Sequence, residues 1–304
     1  MTKYTILCLT LLIVSSLNAQ NSFLNLNSFS QQYSPSYAGI HKGHNFATNY
    51  RNKYPSISGN VIFVAGYDTF IESMKSGIGV YYYKNSILSN AYTFNNFSLN
   101  YNYEITIAEN YHIRPALSVN FTRERLDFNK LTFSDQINPD GTVTPVSSEI
   151  APLSAINNFN FDASLLFYSN ALWIGTTVKN MLPQLSTWYL NDTYNNRNVT
   201  AFAGYNHAFD NGSANTAMVY FAQYTVNQFS DLAVARIYLQ NNWFDIGFGS
   251  KFRVKNTPAN VSNFVSMEFM IGFRVKNISL AYSYESGLKP NLNTTELKLS
   301  YTIK

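Results

Sequence analysis

Residues 243–304 read WFDIGFGSKFRVKNTPANVSNFVSMEFMIGFRVKNISLAYSYESGLKPNLNTTELKLSYTIK, and this stretch decides the fold. Apolar and polar residues alternate along it with a period of two, which is how side chains fall on the two faces of a β-strand. In 261–275, for example, the apolar set is Val265, Met267, Phe269, Ile271, Phe273 and Val275. The stretch therefore predicts four long strands with one apolar, ring-rich face each, at 243–255, 261–275, 278–285 and 294–303.

The composition of the whole chain points to a membrane protein built from strands. Charged residues make up 12% of the chain and aromatic residues 16%, with 23 Tyr and 23 Phe. An ordinary soluble domain is about 25% charged. After residue 19 no apolar run approaches the roughly 18 residues that a spanning helix needs. Few charges, many rings and period-two strands are typical of a transmembrane β-barrel, in which each strand has only a weak hydrophobic signal.

The net charge of +4 comes without a cluster of Lys and Arg, so the sequence predicts no nucleic-acid partner. The first nineteen residues have the order of a secretory signal peptide. Lys3 gives a positive start, 6–14 an apolar core and 15–19 a small-residue end. We expect cleavage after Ala19. The only cysteine, Cys8, lies in this segment, so the mature chain has no thiol for a disulfide, a metal site or a nucleophile.

Ten further strands precede the closing four. They are predicted at 45–53, 58–67, 76–85, 91–107, 111–125, 157–168, 171–179, 198–208, 213–224 and 229–239. The total of fourteen is even, as a single-chain up-and-down antiparallel outer-membrane barrel requires. In lipid every backbone N–H and C=O needs a partner within the protein, so strand 294–303 should pair with strand 45–53. Phe94 and Phe97, both apolar and three residues apart, predict a bulge in 91–107.

The two longest connections, 126–156 and 180–197, both follow odd-numbered strands. Outer-membrane barrels have short periplasmic turns and longer outer loops. The sequence therefore predicts that both termini of the mature chain are periplasmic and that both long loops lie outside the cell, with lipid or lipopolysaccharide around the barrel. The candidate partner-binding residues on these loops are Leu131, Phe133, Asp135, Pro139, Pro145, Trp188, Tyr189 and Tyr194.

The segment 20–44 precedes the barrel, 45–304, and has two interpretations: a periplasmic leader, or a piece that folds into the lumen. A fourteen-stranded barrel is wider than its own side chains readily fill. We therefore expect inward packing, with Tyr33, Pro35 and Tyr37 as a lumen plug. The run Tyr81-Tyr82-Tyr83 must turn at least one ring towards the lumen, because neighbouring residues of a strand face opposite ways.

Nothing in the sequence predicts catalysis or a cofactor. His41 and His44 are spaced like metal ligands but lack a neighbouring carboxylate pair or a thiolate, and they read as loop residues. Glu104, Glu109 and Asp127 form no spacing that suggests general acid–base work. We therefore predict a protein that is not an enzyme, with no catalytic residue, no cofactor and no metal.

Several short motifs resemble those of the PorP/SprF family of outer-membrane proteins, which is associated with type IX secretion and gliding motility. The motifs are Ser-Pro-Ser-Tyr-Ala-Gly at 34–39, Tyr-Arg-Asn-Lys-Tyr-Pro at 50–55, Ser-Gly-Ile-Gly at 76–79, Leu-Thr-Phe-Ser-Asp-Gln at 131–136, and the closing strands at 282–285 and 296–301. Two histidines usual in the family are missing here, one near Asn180 and one at Thr295.

The resemblance implies a non-enzymatic barrel that helps to export type IX substrates, such as adhesins, or to retain them at the cell surface. Its implied partners are a secreted surface protein, other type IX secretion components, or both, in the outer membrane of a Gram-negative bacterium. The alternative is an outer-membrane channel or transporter for small solutes. A continuous bore would favour the alternative, whereas a closed bore with an apolar patch on the outer loops would favour partner binding.

Overall fold

The computed structural model describes most of the chain after the predicted signal peptide. The described residues are 30–55, 59–148, 155–185, 194–195, 197–209, 216–226, 231–255, 264–287 and 293–303. The signal peptide predicted at 1–19 lies outside them.

Strands dominate the described residues, and the only helices among them are 3-10 turns of three residues. The strands are β1 His44–Lys53, β2 Asn60–Ile71, β3 Ser76–Ile87, β4 Tyr92–Tyr103, β5 Ile105–Ala108, β6 Tyr111–Leu126, β7 Ala155–Tyr168, β8 Leu172–Lys179, β9 Gln184–Leu185, β10 Tyr194–Asn195, β11 Asn198–Phe209, β12 Thr216–Val226, β13 Asp231–Gln240, β14 Phe244–Lys255, β15 Phe264–Val275, β16 Ile278–Gly287 and β17 Asn293–Ile303. The turns are Ser30–Gln32, Pro35–Tyr37, Glu72–Met74, Phe128–Lys130 and Ser134–Gln136. No helix among these residues has the length and apolar character to cross a membrane.

The sheet closes on itself. Fifteen strands form one antiparallel sheet, and β9 and β10 pair separately in a loop. β4 and β5 both pair with β6 and are two parts of one strand, which leaves fourteen barrel strands. β1 pairs with β17 along its whole length, from His44 opposite Ile303 to Lys53 opposite Thr294. The predicted fourteen-stranded antiparallel barrel, closed between its first and last strands, is confirmed.

The predicted bulge at Phe94 and Phe97 is wrong. β4 keeps an unbroken register with β3 and with β6 through both residues. The strand is interrupted further on, at Glu104, and the short β5 shifts register between Thr106 and Ala108. The prediction failed because Phe94 is an aromatic residue on the lumen side, where it lines a cavity, while Phe97 is exposed on the outer face. The side chains of β4 therefore alternate between the two faces of the sheet, although apolar and polar residues do not alternate in its sequence.

The apolar faces of the closing strands, β14 to β17, point outward. In β15 the exposed residues include Met267, Phe269 and Phe273, while Ser266 and Met270 are buried inside. Most barrel strands hold ten or more residues, and an extended chain of that length at about 3.3 Å per residue spans a ~30 Å hydrocarbon layer. This is the arrangement in which lipid replaces the packed core that a soluble sheet would need.

The two ends of the barrel differ. One end, the terminal rim, holds His44 at the start of β1 and Ile303 at the end of β17. The opposite end, the loop rim, holds Lys53 and Asn293. Both long connections, 127–154 and 180–197, leave from the loop rim, since β6 and β8 run towards it. Turns at the terminal rim are short, for example residues 109–110 and 276–277.

Candidate functional site

The segment 31–40 lies inside the barrel. Pro35, Tyr37 and Ile40 are buried, and Tyr33 is half-buried. Every residue from 34 to 40 is buried, although this segment precedes β1 and is not part of the barrel wall. Residues 34–40 therefore use the barrel interior as their packing partner.

Hydrogen bonds attach one side of this segment to the strands around it. The side-chain amide of Asn102 donates to the carbonyl of Pro35 at 3.2 Å and to that of Ala38 at 2.8 Å. Asp68 Oδ1 accepts from the backbone N–H of Gly39 at 2.9 Å. Further bonds join Ser36 N to Ser164 Oγ at 3.1 Å and Lys179 Nζ to Gln32 O at 2.6 Å. Strand side chains thus satisfy several buried backbone polar groups of the segment, and others bond within it, for example Ala38 N to Pro35 O at 3.1 Å.

Two glycines of β3 make room for the segment. A Cβ at Gly77 would lie 2.1 Å from the carbonyl oxygen of Ala38, and one at Gly79 would lie 2.0 Å from Gln31 Oε1. The amide of Gln31 donates to the carbonyl of Val80 at 3.4 Å in the same strand. The segments 34–39 and 76–79, which carry two separate motifs of the family resemblance, are therefore packed against each other.

An apolar cluster covers the other side of the segment. Tyr37 packs on Phe202 of β11 with their ring centroids 5.3 Å apart. Tyr37 and Ile40 belong to one buried cluster that reaches strands β7 to β15; its other members are Leu166, Tyr168, Trp173, Phe202, Val219, Tyr238 and Met270. The segment is therefore hydrogen-bonded to β2, β4, β7 and β8, and its Tyr37 and Ile40 pack on apolar side chains of strands β7 to β15.

A second buried group lies at the terminal rim, beside this segment. Glu104 accepts hydrogen bonds from Arg114 and from the hydroxyl of Tyr168. The guanidinium of Arg114, which is wholly buried, stands 4.9 Å from the ring centre of Phe70 and 5.2 Å from that of Tyr168. Lys42 Nζ lies 3.8 Å from Glu104. A buried carboxylate and guanidinium with such partners form a charge pair that is costly to break.

Charged side chains of β1 and β13 to β17 form a network on one wall of the lumen, here called the charged wall. Arg51 Nη2 lies 2.7 Å from Glu285 and Arg51 Nε 3.2 Å from Glu296. Lys251 Nζ bridges Glu285 at 2.8 Å and Glu268 at 2.9 Å. Arg236 adds a contact of 2.7 Å to Glu268, and Lys298 one of 2.9 Å to Glu296. Lumen-facing charges therefore pair across strands.

A cavity of about 610 Å³ lies between the charged wall and strands β2 to β8, on the loop-rim side of residues 31–40. Gln32 and Tyr33 line it at one end, and Lys53, Tyr92 and Glu124 at the other. Of the three consecutive tyrosines, Tyr81 and Tyr83 line this cavity, whereas Tyr82 is exposed on the outer face.

The first part of the long loop, residues 127–148, is ordered by its own polar groups. Gln136 is buried: its side chain accepts from Phe133 N at 2.8 Å and donates to Thr144 O at 3.0 Å. Ile137 and Val143 pair in an antiparallel bridge around the turn 138–141, where Gly141 takes the positive φ of 82°. Ile137, Val143 and Val146 are all more than half exposed. Ile137 and Val143 are neighbours in the bridge and expose an apolar patch at the loop rim, and Val146 is exposed in the same loop.

The side chain of Asp135 joins two parts of this loop through hydrogen bonds from Ser147 and Ser148. Its carboxylate accepts from the backbone N–H of Ser148 at 2.6 Å, from the Ser148 hydroxyl at 2.8 Å and from the Ser147 hydroxyl at 2.9 Å. These bonds hold the pKa of Asp135 below its ordinary value of 3.8, with the bond from the Ser148 backbone contributing most. A carboxyl group whose pKa falls on folding stabilises the folded loop above that ordinary value. The contribution is lost as the pH falls through the lowered pKa.

We expect Asp135→Asn to loosen this loop without unfolding the barrel. The neutral amide keeps the size of the side chain but is a weaker acceptor for three donors. Limited proteolysis at pH 7 should cut the loop about fivefold faster or more than in the unmodified protein. The control is Glu109→Gln at the terminal rim, which should leave the cleavage rate unchanged. Equal loop cleavage in Asp135→Asn and unmodified protein would show that the carboxylate does not order the loop.

The structure groups the predicted site residues into two places. Tyr33, Pro35 and Tyr37 lie together inside the barrel. In the long loop, Leu131 and Phe133 are half-buried, with Phe133 stacked on Phe128 at 5.3 Å, and Asp135, Pro139 and Pro145 are exposed. Trp188 and Tyr189 lie outside the described residues, and of Tyr194 only the backbone, in β10, is described.

Other residues of the site escaped sequence reasoning. The sequence assigns no structural role to Asn102 or Arg114, and it presents Gly77 and Gly79 only as part of a short motif, although all four lie on the lumen side of their strands. The period of two predicts which residues face the lumen, but it does not predict which residues they contact there. Among the described residues, no group of three or more His, Cys, Asp or Glu side chains could hold a metal ion.

Solved structures similar to this chain are membrane barrels of low sequence identity. The outer membrane protein Omp33 of Acinetobacter baumannii matches with a TM-score of 0.51 and 8% identity, covering 86% of this chain and 98% of its own. The P. putida toluene transporter TodX matches with a TM-score of 0.52 and 10% identity, covering 92% of this chain and 94% of its own. These likenesses concern the fold alone. Among proteins with curated descriptions, none matches this chain.

A family profile matches the chain almost from end to end. The match runs over residues 16–303, which include the lumen segment, all the barrel strands and both long loops. Its description is type IX secretion system membrane protein PorP/SprF. The chain therefore belongs to the PorP/SprF family of type IX secretion system membrane proteins.

Proposed function

We propose that this protein is a non-enzymatic outer-membrane barrel that supports the export or the cell-surface retention of type IX substrates such as adhesins. Its loop rim faces outward and binds a secreted surface protein or another secretion component, and both termini lie in the periplasm. The observation that carries the proposal is the pairing of an occupied lumen with an ordered loop that exposes apolar side chains. Ile137, Val143 and Val146 stand in solvent, where such a patch marks a protein-binding surface.

The proposed role of residues 31–40 is that of a lumen plug. Polar bonds from Asn102 and Asp68 hold the plug on one side, and Tyr37 packs into the apolar cluster on the other. We expect a plug fixed from both sides to block the passage of a solute. This disfavours the alternative, a channel or transporter for small solutes, despite the barrel fold shared with TodX.

A pull-down from detergent-solubilised membranes, read by mass spectrometry, tests the proposed function. We expect a secreted surface protein or a type IX component to be enriched with the unmodified barrel. The double variant Ile137→Glu/Val143→Glu should reduce that recovery by about tenfold, since charge on an apolar contact surface leaves unpaired groups at the interface. Met74→Glu is the matched control, because Met74 is equally exposed but lies at the terminal rim.

Two results would contradict the proposed function. One is recovery of barrel-assembly machinery alone, with no secreted protein and no secretion component. The other is equal loss of the partner in the loop-rim and terminal-rim variants, because the partner would then not depend on the exposed patch.

A further inference from the structure

Three cationic side chains stand together on the outer face of the barrel, next to the loop rim. Lys84 of β3 lies opposite Asn95 of β4, and Asn95 lies opposite Arg123 of β6. Tyr82, which is exposed on the outer face, donates its hydroxyl to Asn95 Oδ1 at 2.7 Å, so this row lies outside the barrel. Arg125 follows Arg123 by two residues in the same strand and faces the same way. We call Lys84, Arg123 and Arg125 the outer basic patch.

The outer basic patch has an excess of positive charge. None of its three side chains forms an ion pair with a carboxylate of the described residues. Glu124, between the two arginines, faces the lumen and accepts from the hydroxyl of Tyr92 at 2.9 Å. Asp127 follows Arg125 by two residues, and three cations against this one carboxylate still leave a net charge of +2.

The rest of the outer face does not repeat this cluster. At the outward-facing strand positions whose side chains the structure describes, there is no other Lys or Arg and no exposed Asp or Glu. A charge on the lipid face of a barrel is costly at the membrane centre and nearly free of cost at its surfaces. The three cations are therefore confined to one sector of the barrel, at one end of it.

A row of rings marks the membrane boundary next to the patch. Four aromatic residues lie opposite one another in neighbouring strands, and all are more than a third exposed: Tyr82, Phe97, Phe121 and Phe159. Such rings are typical of the level where hydrocarbon meets the lipid headgroups. Lys84 and Arg123 each lie two residues beyond this row, towards the loop rim.

The length of β6 gives the same depth. Its outward-facing residues before the patch are all apolar or aromatic: Tyr111, Ile113, Pro115, Leu117, Val119 and Phe121. The ten residue steps from 111 to 121, at about 3.3 Å each, give roughly 33 Å along the strand. In a strand tilted by ~40° this is about 25 Å along the membrane normal, the height of the apolar band of an outer-membrane barrel. Arg123 therefore lies at the level of the headgroups.

We propose that the outer basic patch binds the phosphate headgroup of a membrane lipid. The guanidinium groups of Arg123 and Arg125 fit phosphate oxygens through paired N–H donors, and Lys84 adds a third positive charge. The rings of Phe97 and Phe121 lie just below, where they contact the acyl chains of the same lipid. The inference goes beyond the proposed function and does not depend on it, because it requires only a barrel in a membrane.

Native mass spectrometry of the detergent-purified protein tests the patch. The probe is dioleoyl phosphatidic acid; the comparison probes are dioleoylglycerol, which has the same acyl chains without the phosphate, and inorganic phosphate. We expect phosphatidic acid to bind at least about tenfold more tightly than dioleoylglycerol, and to weaken as the ionic strength rises from ~0.05 to ~0.5 M. Equal binding of the two lipids, or displacement of phosphatidic acid by an equal concentration of inorganic phosphate, would overturn the proposal.

Variants of the arginines assign the binding to the patch. Arg123→Gln should weaken phosphatidic acid binding by about fivefold and Arg123→Gln/Arg125→Gln by about twentyfold or more, since each basic residue near a membrane surface adds to the attraction of an anionic lipid. Arg123→Lys/Arg125→Lys should retain most of the binding, because lysine keeps the charge. Each variant is first checked for folding by the heat-dependent shift of a barrel on an electrophoresis gel.

Arg197→Gln is the matched control for Arg123→Gln. Arg197 is also exposed next to the loop rim, but it precedes β11, which is three strands and therefore ~14 Å from β6. This variant should bind phosphatidic acid as the unmodified protein does. Unchanged binding in folded Arg123→Gln/Arg125→Gln, or an equal loss in Arg197→Gln and Arg123→Gln, would contradict the assignment.

The pull-down separates this inference from the proposed function. If Arg123→Gln/Arg125→Gln loses the protein partner but binds phosphatidic acid normally, the patch is a protein contact and the inference fails. If lipid binding depends on the arginines while no secreted protein or secretion component is recovered with any form of the barrel, the inference stands and the proposed function fails.

Discussion

Replacing Gly77 with alanine is expected to make the barrel leak. The new Cβ would lie 2.1 Å from the carbonyl oxygen of Ala38 and 2.7 Å from both side-chain polar atoms of Asn102. Such contacts are far below normal separation, so the plug must move. Alanine fits a strand at least as well as glycine does, so the barrel itself is preserved. Efflux of a small dye from liposomes should rise by at least about tenfold, because a fourteen-stranded bore is not filled by its own side chains.

Gly272→Ala is the matched control for this variant. Gly272 also lies in a barrel strand, but its nearest non-neighbour atom would be 3.4 Å from the new Cβ, which the structure can accommodate. A second variant lacking residues 20–40 removes the plug altogether and should leak at least as fast as Gly77→Ala. Efflux that stays at the unmodified level in both Gly77→Ala and the deletion would contradict the proposed role of residues 31–40.

Glu104→Ala is expected to cause the largest loss of stability. It leaves the guanidinium of Arg114 wholly buried without its carboxylate partner, and it removes the acceptor of the Tyr168 hydroxyl. Breaking a buried pair in this way costs roughly 3–5 kcal/mol. Urea-induced unfolding in lipid vesicles, followed by tryptophan fluorescence, should show a lower free energy of unfolding by about that amount.

The double variant Glu104→Ala/Arg114→Met distinguishes a lost charge partner from a lost shape. Methionine removes the buried charge and keeps contact with the rings of Phe70 and Tyr168, so most of the stability should return. Glu72→Ala, an exposed glutamate in the turn at the same rim, should change the free energy of unfolding by less than ~0.5 kcal/mol. A Glu104→Ala effect as small as that of Glu72→Ala would show that the pair does not stabilise the barrel.

The strands were predictable because lipid outside and polar side chains inside impose a period of two on the sequence. One predicted strand end is wrong because a residue that faces the lumen is of a type common in turns. β2 was expected to end at residue 67 but continues to Ile71. The cause is Asp68, which reads as a loop residue and instead faces inward to hold Gly39 and Asn45. The period of two predicts whether a residue faces lipid or the lumen. The contacts of a lumen-facing residue depend on the segment that fills the lumen, which the period does not show.

The interior of the site could be predicted only in part. The excess bore of a fourteen-stranded barrel, together with Tyr33, Pro35 and Tyr37, led to the expectation of an inward-packed segment. The same reasoning could not identify Gly77 and Gly79. The need for glycine at these positions becomes visible only when the structure shows a carbonyl or an amide in the space that a side chain would take. Glu104 and Arg114 are ten residues apart in sequence and meet because β5 breaks away from β4 at Glu104.

The electrical conductance of the unmodified, full-length mature protein in a planar lipid bilayer tests the central claim most directly. If residues 31–40 close the barrel and the protein works by holding a partner at its loop rim, inserted protein should give no stable conductance steps above the bare bilayer. The variant lacking residues 20–40, inserted under the same conditions, should give them. Stable ohmic steps from the unmodified protein, equal to those of the deletion variant, would contradict the claim and identify the barrel as an open channel.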